Sequence, residues 1–402
     1  MKILVINCGS SSLKFRLIDT ATETVEARGL FERIGETGGR FTYIPGDKES
    51  IVKERDIPDH FEAVKRLIKA ITDPENGVIK DLGEIDAVGH RVVHGGDRFA
   101  SPVVITPETI KEIEECSQLA PIHNPVNILG IKACQKYMPE TVMVGVFDTS
   151  FHQSMPEEAY LYGIPYEYYK KDKIRKYGFH GMSHEYVARE TAKMLKKPIE
   201  ETKIITCHVG NGTSICAVRE GKSVDTSMGF TPLAGVLMGT RSGGIDPEIV
   251  KFIAQAEGKT VQEVMDILNK RSGLFGVSDY LSSDVRDLTE EYNKGNENAA
   301  RALNKLAYSI TKFIGSYYVV LGGVDAITFT AGVGENSALM RKLICDRLSV
   351  LGVQLDEEKN EHVSGATEIS AEGSRVRVFR IPTDEEMSIA RQTERLIKGG
   401  KK

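Results

Sequence analysis

No stretch of this 402-residue sequence is long and apolar enough to cross a bilayer, and the N-terminal run Ile3–Ile6 is too short for the apolar core of a signal peptide. Neither membrane insertion nor secretion is expected. Positive charge is not in excess: 52 Lys and Arg stand against 57 Asp and Glu, a net charge of −5. Nucleic-acid partners normally select a basic face, so none is expected and any phosphate site must be local. Cysteine is sparse and unpatterned. The six residues (Cys8, Cys116, Cys134, Cys207, Cys216, Cys345) form no CxxC pair and have no histidine at zinc spacing. That reads as reduced, mostly buried thiols in a cytosolic, cytoplasmic protein. No low-complexity tract interrupts a composition of 41% hydrophobic and 27% charged residues, which is ordinary for a soluble globular chain. The length exceeds what one hydrophobic core usually serves, so two domains are expected.

What is present begins at the first residues. A β-rich run from Lys2 stops at Asn7, turns through Cys8-Gly9-Ser10-Ser11-Ser12 and resumes as Leu13-Lys14-Phe15-Arg16-Leu17-Ile18. Such a turn offers backbone N–H groups, three hydroxyls and an ammonium to one anion, the inventory of a phosphate cradle. Alone, this stretch reads equally well as a serine-rich surface hairpin. The pattern returns about two hundred residues later: Lys203-Ile204-Ile205-Thr206-Cys207-His208-Val209-Gly210-Asn211-Gly212-Thr213 aligns without gaps on Lys2 through Ser12. Two such turns at matching places in two halves point to a duplicated nucleotide-binding domain.

The first half predicts strands at Lys2–Asn7, Leu13–Asp19 and Thr24–Glu32, a helix near Phe61–Ile71, and strands at Ala87–Val93 and Val142–Phe147. The last is an apolar run, as expected for a strand covered on both faces. Asn124-Pro125 predicts a helix capped at Asn124. In the second half, strands are expected near Ile204–His208, Ser214–Val218 and Ala326–Ala331. Helices should start at Ser183, at Asp246-Pro247 and at Thr260, the last with a capping box to Glu263. Asn296–Leu321 reads as a long, buried helix. A domain boundary is placed near residue 150, giving domains over 1–150 and 151–383.

The stretch from Ile3 to Lys14, and that from Ile204 through His208-x-Gly210-x-Gly212 to Gly221, resemble the two signatures of the acetate kinase family, and the resemblance covers the whole chain. It implies an α/β fold of two duplicated actin-like ATPase domains, ribonuclease H-like mixed sheets with flanking helices, around a nucleotide cleft. A C-terminal helix at about 384–402 would rejoin the first domain. It also implies a reversible, Mg-ATP-dependent phosphorylation of acetate to acetyl phosphate, with ADP as the other product, Mg²⁺ (or Mn²⁺) as the metal, and a homodimer as the assembly.

The residues can be weighed beside that resemblance. Asn7, Ser10, Ser12 and Lys14, with His208, Val209, Gly210, Asn211 and Gly212, would hold phosphates. Gly332-Val333-Gly334-Glu335-Asn336 follows an apolar strand and opens a helix, so it can present N–H groups to a ligand or simply make a tight turn. By resemblance it holds the adenosine part of ATP, with Ser283, Asp284 and Arg286 nearby. Asp148 ends a strand, where ligands gather in open α/β sheets, although an Asp there is also a common helix cap. By resemblance it is the catalytic acidic residue. A carboxylate substrate, with a pKa near that of Glu at roughly 4.3, is already an anion at neutral pH and needs no base. Asp148 is therefore assigned to orienting an arginine or a metal-bound water.

Isolated arginines are usually solvated surface charges. Transfer between two anions, however, needs cationic forks, and by resemblance Arg91 and Arg241 supply them. His180 reads as a structural loop histidine or, by resemblance, as a donor to the phosphoryl in flight. His184 is read as structural. In Thr383-Asp384-Glu385-Glu386, Thr383 as cap would engage Glu386 in a capping box and leave Glu385 for the metal opposite Asn7. Val93, Ile122, Phe179 and Pro232 would size the acid pocket, which leaves a propionate or butyrate kinase as the near alternative. A nucleotide-switched binding module of the actin or chaperone type is the distant one. A chaperone would carry a substrate-binding domain after its ATPase, whereas this sequence ends at Lys402, and an actin-like module would not need the Arg91/Arg241 pair.

Overall fold

The computed structural model describes residues 1–399 and divides into two compact units, Met1–Phe151 together with the segment from Asp384 onward, and His152–Thr383. Each is built on one mixed sheet. In the first unit the strands are β1 (Lys2–Cys8), β2 (Ser12–Asp19), β3 (Thr24–Glu32), β4 (Arg40–Pro45), β5 (Ile51–Glu54), β6 (Ala87–Val92), β7 (Val103–Val104) and β8 (Val142–Phe147). Their order is β5-β4-β3-β2-β1-β6-β8-β7. β1 through β5 pair antiparallel, while β1, β6 and β8 run parallel.

The second unit has β9 (Lys203–Val209), β10 (Thr213–Arg219), β11 (Lys222–Thr226), β12 (Ala326–Thr330), β13 (Thr367–Glu368) and β14 (Arg377–Arg380), in the order β11-β10-β9-β12-β14-β13. Five consecutive strands of each sheet, β3-β2-β1-β6-β8 and β11-β10-β9-β12-β14, share order and direction. The duplication expected from the two glycine turns is thus present in the topology, and the fold is α/β with two mixed sheets and flanking helices.

Burial explains the strand sequences. β8 and β12 lie inside their sheets, and all of β12 and the last five residues of β8 are buried. Parallel strands covered by helices on both faces read as such apolar runs. In the first unit, the helices His60–Ile71 and Asn124–Tyr137 contribute to one core with Phe15, Phe31, Phe41 and Phe147. The terminal helix Glu385–Gly399 packs on β1 and β6. Gly89 on β6 lets it approach: a Cβ there would meet Thr393 Oγ1 at 2.6 Å. The expected extension of this helix over residues 400–402 lies outside the described residues.

Several local expectations are corrected. Asn124 does not cap its helix; His123 stands at the cap and Pro125 follows in the first turn. The Asn124 amide is buried and bonds both the N–H (3.1 Å) and the C=O (2.8 Å) of His94, an engagement that pins the loop after β6. The helix expected from Ser183 begins at Gly181. The helix after Asp246-Pro247 starts one residue later, at Glu248, while Thr260 and Glu263 form the expected capping box. The long helix is Glu297–Leu321, capped by Asn296 and ended by Gly322 in the left-handed region (φ 64°). It buries one stripe, Leu303, Ile310, Ile314 and Tyr317 among it, but its other side is open, with Val319 77% exposed. Its apolar composition therefore does not make it a fully buried helix.

The duplicated hairpins also differ. Cys8 pairs with Leu13 in the first and Val209 with Thr213 in the second, so the second turn is one residue shorter. The ungapped alignment holds only up to the turn. Across the sheets Lys14, opposite Asn7, corresponds to Ser214, opposite His208.

Candidate active site

In the first unit, strand periodicity places Lys14 and Arg16 on one face of β2, opposite Asn7 and Val5 of β1. Arg91 lies two residues beyond Gly89 and so shares the face that the terminal helix covers. Asp148 follows β8 directly. Its carboxylate, 3% exposed, accepts from Arg91 Nε (3.1 Å) and Nη2 (2.6 Å), a two-point grip on the guanidinium. Arg91 Nη1 donates to Asn7 Oδ1 at 3.3 Å. Burial alone would lower the Arg91 pKa, but Asp148 and Glu385 outweigh it and hold the cation firmly charged.

The terminal helix brings its acidic start to the same place. Asp384, not Thr383, is the cap: its Oδ1 accepts from Met387 N–H at 2.9 Å. Asp384 also accepts from Arg16 Nη1 (3.0 Å). Thr383 bonds Ser183 at 2.8 Å instead. No capping box forms, because Glu386 turns to Lys14 Nζ (2.5 Å) and Arg16 Nη2 (3.5 Å). Burial pushes the Glu386 carboxyl up, yet Arg16 and Lys14 more than offset it and the net shift is downward. Glu385 differs. It has no hydrogen-bond or ion-pair partner among the described residues, and burial, with Asp148 and Glu386 adding repulsion, raises its pKa despite Arg91 and Lys14. Among the described residues, no three His, Cys, Asp or Glu side chains converge as a metal cage.

Ser10 lies in the turn after β1 and Ser12 opens β2, the turn being closed by Gly9 N–H to Ser12 C=O at 2.8 Å. Val93 is buried beyond Arg91, with its N–H donated to Asn127 Oδ1 (3.0 Å). Ile122 sits on an open turn and is 71% exposed.

In the second unit His180 is the N-cap of the helix Gly181–Leu195, with left-handed backbone (φ 58°). Its ring stacks on His208 with centroids 4.1 Å apart. A Cβ added at Gly212 would lie 3.5 Å from His180 Nε2 and 3.6 Å from Arg241 Nη1, so both side chains border the second glycine turn. Arg241 donates weakly to Pro232 C=O (3.5 Å) and has no carboxylate within ion-pair distance among the described residues. Burial lowers its pKa. A partly buried guanidinium without a counter-charge is costly and suited to an incoming anion. Phe179 is buried, and its C=O accepts from His152 Nε2 at 3.0 Å.

Gly210, Asn211, Ser283, Asp284, Arg286, Gly332, Val333, Glu335 and Asn336 line one cavity of about 1460 Å³. His208, Val209, Gly212 and Gly334 are not in its wall. The segment Ala331–Asn336 is itself a short helix, and its first N–H (Ala331) is taken by Glu335 Oε1 at 2.9 Å. The Glu335 carboxylate also accepts from Thr383 N–H (3.1 Å), so it supports the turn.

Sequence reasoning missed Arg341. It is 1% exposed, donates to the carbonyls of Gly334 (3.0 Å) and Glu335 (2.9 Å), and grips Asn360 through Nε (2.7 Å). Burial, reinforced by Arg380, lowers its pKa to about 10. An arginine in an amphipathic helix gives no sign that it points inward. Ser183 and Ser214 were missed likewise: Ser183 Oγ bonds His208 Nδ1 (2.8 Å), and Ser214 Oγ bonds both His180 Nδ1 (2.8 Å) and His184 Nε2 (2.7 Å).

A family profile described as "Acetokinase family" matches residues 2–391. The chain is 56% identical over 400 residues to an acetate kinase of Caldanaerobacter subterraneus subsp. tengcongensis, covering 99% of this chain and 100% of the relative. It is 54% identical over 397 residues to an acetate kinase of Methanosarcina thermophila, covering 99% and 97%. Among solved structures, that of Porphyromonas gingivalis acetate kinase superposes with a TM-score of 0.94 at 43% identity, covering 98% and 99% of the two chains. A propionate kinase from Francisella tularensis subsp. tularensis superposes with a TM-score of 0.90 at 41% identity, covering 97% and 98%.

Proposed function

The chain belongs to the acetokinase family, and from that premise we propose the following assignment of its reaction and residues. The protein is a phosphotransferase with a carboxyl group as acceptor: acetate and Mg·ATP give acetyl phosphate and ADP, reversibly. A carboxylate oxygen of acetate attacks the γ-phosphorus in line, the bond to the β,γ-bridging oxygen breaks, and ADP leaves. No proton need be removed from the acceptor.

The observation that carries the reading is Arg241, a burial-stressed cation with no carboxylate partner among the described residues, bordering the same glycine turn as His180. Those two side chains are assigned to the transferring phosphoryl, where such clamps contribute ~10³–10⁵ in rate. Arg91, oriented by Asp148, binds the acetate through the N–H groups that Asp148 and Asn7 leave over. Val93, Ile122, Phe179 and Pro232 are assigned to the acid pocket. The cavity beside Ser283, Asp284 and Gly332 takes the adenosine. Lys14, Ser10, Ser12 and the glycines at 210 and 212 are assigned to the phosphates. Arg91, Asp148, Val93, Ile122, Ser10, Ser12 and Lys14 thus belong to a domain over 1–150 plus the terminal helix, and Phe179, Pro232, the second glycine turn and the adenosine groups to one over 151–383.

The residues fit a magnesium ion. Mg²⁺ is usually held by one or two carboxylates together with substrate phosphates, not by an all-protein cage. Glu385 is the carboxylate in its cluster without a protein partner, and Asn7 offers a neutral oxygen nearby in sequence register with Lys14. When bound, the ion would neutralise charge on the phosphates; Mn²⁺ is expected to substitute. Six buried free thiols, and no described helix long and apolar enough to cross a membrane, support a cytoplasmic location. A homodimer is proposed from the family and is read by light scattering.

The test is hydroxylamine trapping of acyl phosphate from Mg·ATP with acetate, propionate or butyrate. Hydroxamate formed fastest with acetate supports the assignment. A maximum at propionate would keep the mechanism and replace the acid. No hydroxamate from any acid, with ATP still bound, would replace the kinase reading by a nucleotide switch.

A further inference from the structure

A backbone turn that binds phosphate must hold its N–H groups ready, because a peptide that flips would offer the anion a carbonyl oxygen instead. We propose that His60 is a positioning residue that prevents such a flip in the turn after β1. By holding Gly9 C=O it fixes Ser10 N–H as a donor to the phosphoryl ligand, a role that rests on the assignment of this turn to phosphates.

The backbone groups of the turn can be accounted for one at a time. Cys8 C=O accepts from Asn127 Nδ2 at 2.9 Å, and Gly9 C=O from His60 Nε2 at 2.9 Å. Ser11 C=O accepts from Ile34 N–H (2.9 Å) and Ser12 C=O from Gly9 N–H (2.8 Å). The N–H groups of Ser10 and Ser11, outside both strands, have no protein acceptor among the described residues. The sense of the two side-chain bonds is fixed by their partners. A carbonyl cannot donate, so His60 Nε2 carries the proton it shares with Gly9. Asn127 Oδ1 accepts from Val93 N–H (3.0 Å), which leaves its NH₂ for Cys8.

In a planar trans peptide the C=O of one residue and the N–H of the next lie on opposite edges. Asn127 on Cys8 C=O therefore sets Gly9 N–H, which closes the turn on Ser12. His60 on Gly9 C=O sets Ser10 N–H in the same way. The need is greatest at Gly9. A Cβ there would meet Ser12 Oγ at 2.7 Å, so glycine leaves that hydroxyl its place. Glycine also brings rotational freedom that other residues lack. The only other bond to Gly9 C=O among the described residues, from Ser12 N–H, is long at 3.5 Å. His60 supplies the missing restraint from a rigid base: it is 7% exposed, at the start of the helix His60–Ile71, which packs on the helix Asn124–Tyr137 that carries Asn127.

The test is steady-state kinetics of the full chain in both directions, with KM read separately for Mg·ATP, acetyl phosphate and acetate. His60→Leu should raise KM for Mg·ATP and for acetyl phosphate by about two- to tenfold, the range of one neutral hydrogen bond, and leave KM for acetate little changed. His60→Gln, whose amide N–H reaches about as far as Nε2, should recover most of the loss, and the shorter His60→Asn should not. A histidine that only fills space would be replaced as well by Leu as by Gln, and a smaller folded fraction would lower kcat without moving either KM. Unmoved phosphoryl KM values in His60→Leu, or equal behaviour of the Leu and Gln variants, overturn the proposal. A separate arm removes the donor itself: Ser10→Pro deletes the N–H, whereas Ser10→Ala deletes only the hydroxyl. Ser10→Pro should raise the same KM values more than Ser10→Ala does. His60→Leu added to Ser10→Pro should then cost about twofold or less, since both changes act on one group; fully additive losses overturn the proposal. No effect of Ser10→Pro would remove the phosphate assignment of the turn and the role of His60 with it. An effect of Ser10→Pro without one of His60→Leu removes the role of His60 alone.

Discussion

Replacing Asp148 by Asn isolates the part of the site in which geometry and chemistry can be told apart. The amide keeps the size of the carboxylate but offers an NH₂ where Arg91 needs an acceptor. One of the two bonds, Nε–Oδ1 at 3.1 Å or Nη2–Oδ2 at 2.6 Å, is lost and becomes a donor–donor contact. A hydrogen bond to a charged group contributes about 1.5–3 kcal/mol. At 1.4 kcal/mol per tenfold, kcat/KM for acetate should fall about 10- to 150-fold. The fold should survive, because Glu385 and Glu386 still favour the Arg91 cation. KM for ATP should be nearly unchanged, as the proposed adenosine groups lie in the other unit. Loss of a general base would look different: about 10²–10⁴ in kcat, with activity following the ionisation of the lost carboxyl. The assay is initial-rate ADP release with acetate varied at saturating Mg·ATP, from pH 6 to 8. Full activity of Asp148→Asn refutes the orienting role, and a loss confined to kcat with an altered pH profile refutes the argument that the acceptor needs no base.

Three other outcomes follow from the same geometry. Arg241→Gln should abolish most turnover yet raise the melting temperature of the ligand-free protein, since a partly buried cation without a carboxylate partner is removed; a lower melting temperature would contradict its uncompensated state. Glu386→Gln should destabilise the protein by about 1–3 kcal/mol at pH 7, because Lys14 and Arg16 lose a charged partner. The Glu386 pKa is lowered in the folded state, so its contribution is present above the unfolded carboxyl range near 4.3 and disappears as pH falls through the lower folded value. The melting-temperature gap to the parent should close in that window, and a gap that widens on acidification would reverse the sign. Arg341→Met leaves the Gly334 and Glu335 carbonyls short of a buried donor. KM for ATP should rise several-fold with KM for acetate unaltered, read by the same ADP assay; equal changes in both would place Arg341 outside the nucleotide site.

Part of this molecule was legible in its residues because the signals are local. The apolar run Val142–Phe147, the Thr260–Glu263 capping box and the two glycine turns each report on a few neighbouring residues, and each element appears where its pattern lies. The duplication followed from the turns alone, since a repeated strand-turn-strand leaves the same spacing twice. Three of the errors share a cause: a side chain taken by a distant partner. Asn124 gives up its cap for His94, Thr383 for Ser183, and Glu386 its capping box for Lys14 and Arg16.

By itself, then, the sequence determined the fold class, the repeated phosphate turn and the residue types available to two anionic substrates, because hydrophobic period and turn chemistry are written in neighbouring positions. Only the tertiary structure decided how those residues are paired. It shortened the second turn by one residue, so that Ser214, and not Ile215, which an ungapped alignment sets against Lys14, stands opposite the strand histidine. It gave Arg91 a carboxylate and left Arg241 without one among the described residues. Pairing across a sheet or between a strand and a helix distant in sequence costs chain entropy that only the whole fold can offset, and no short stretch of residues records it.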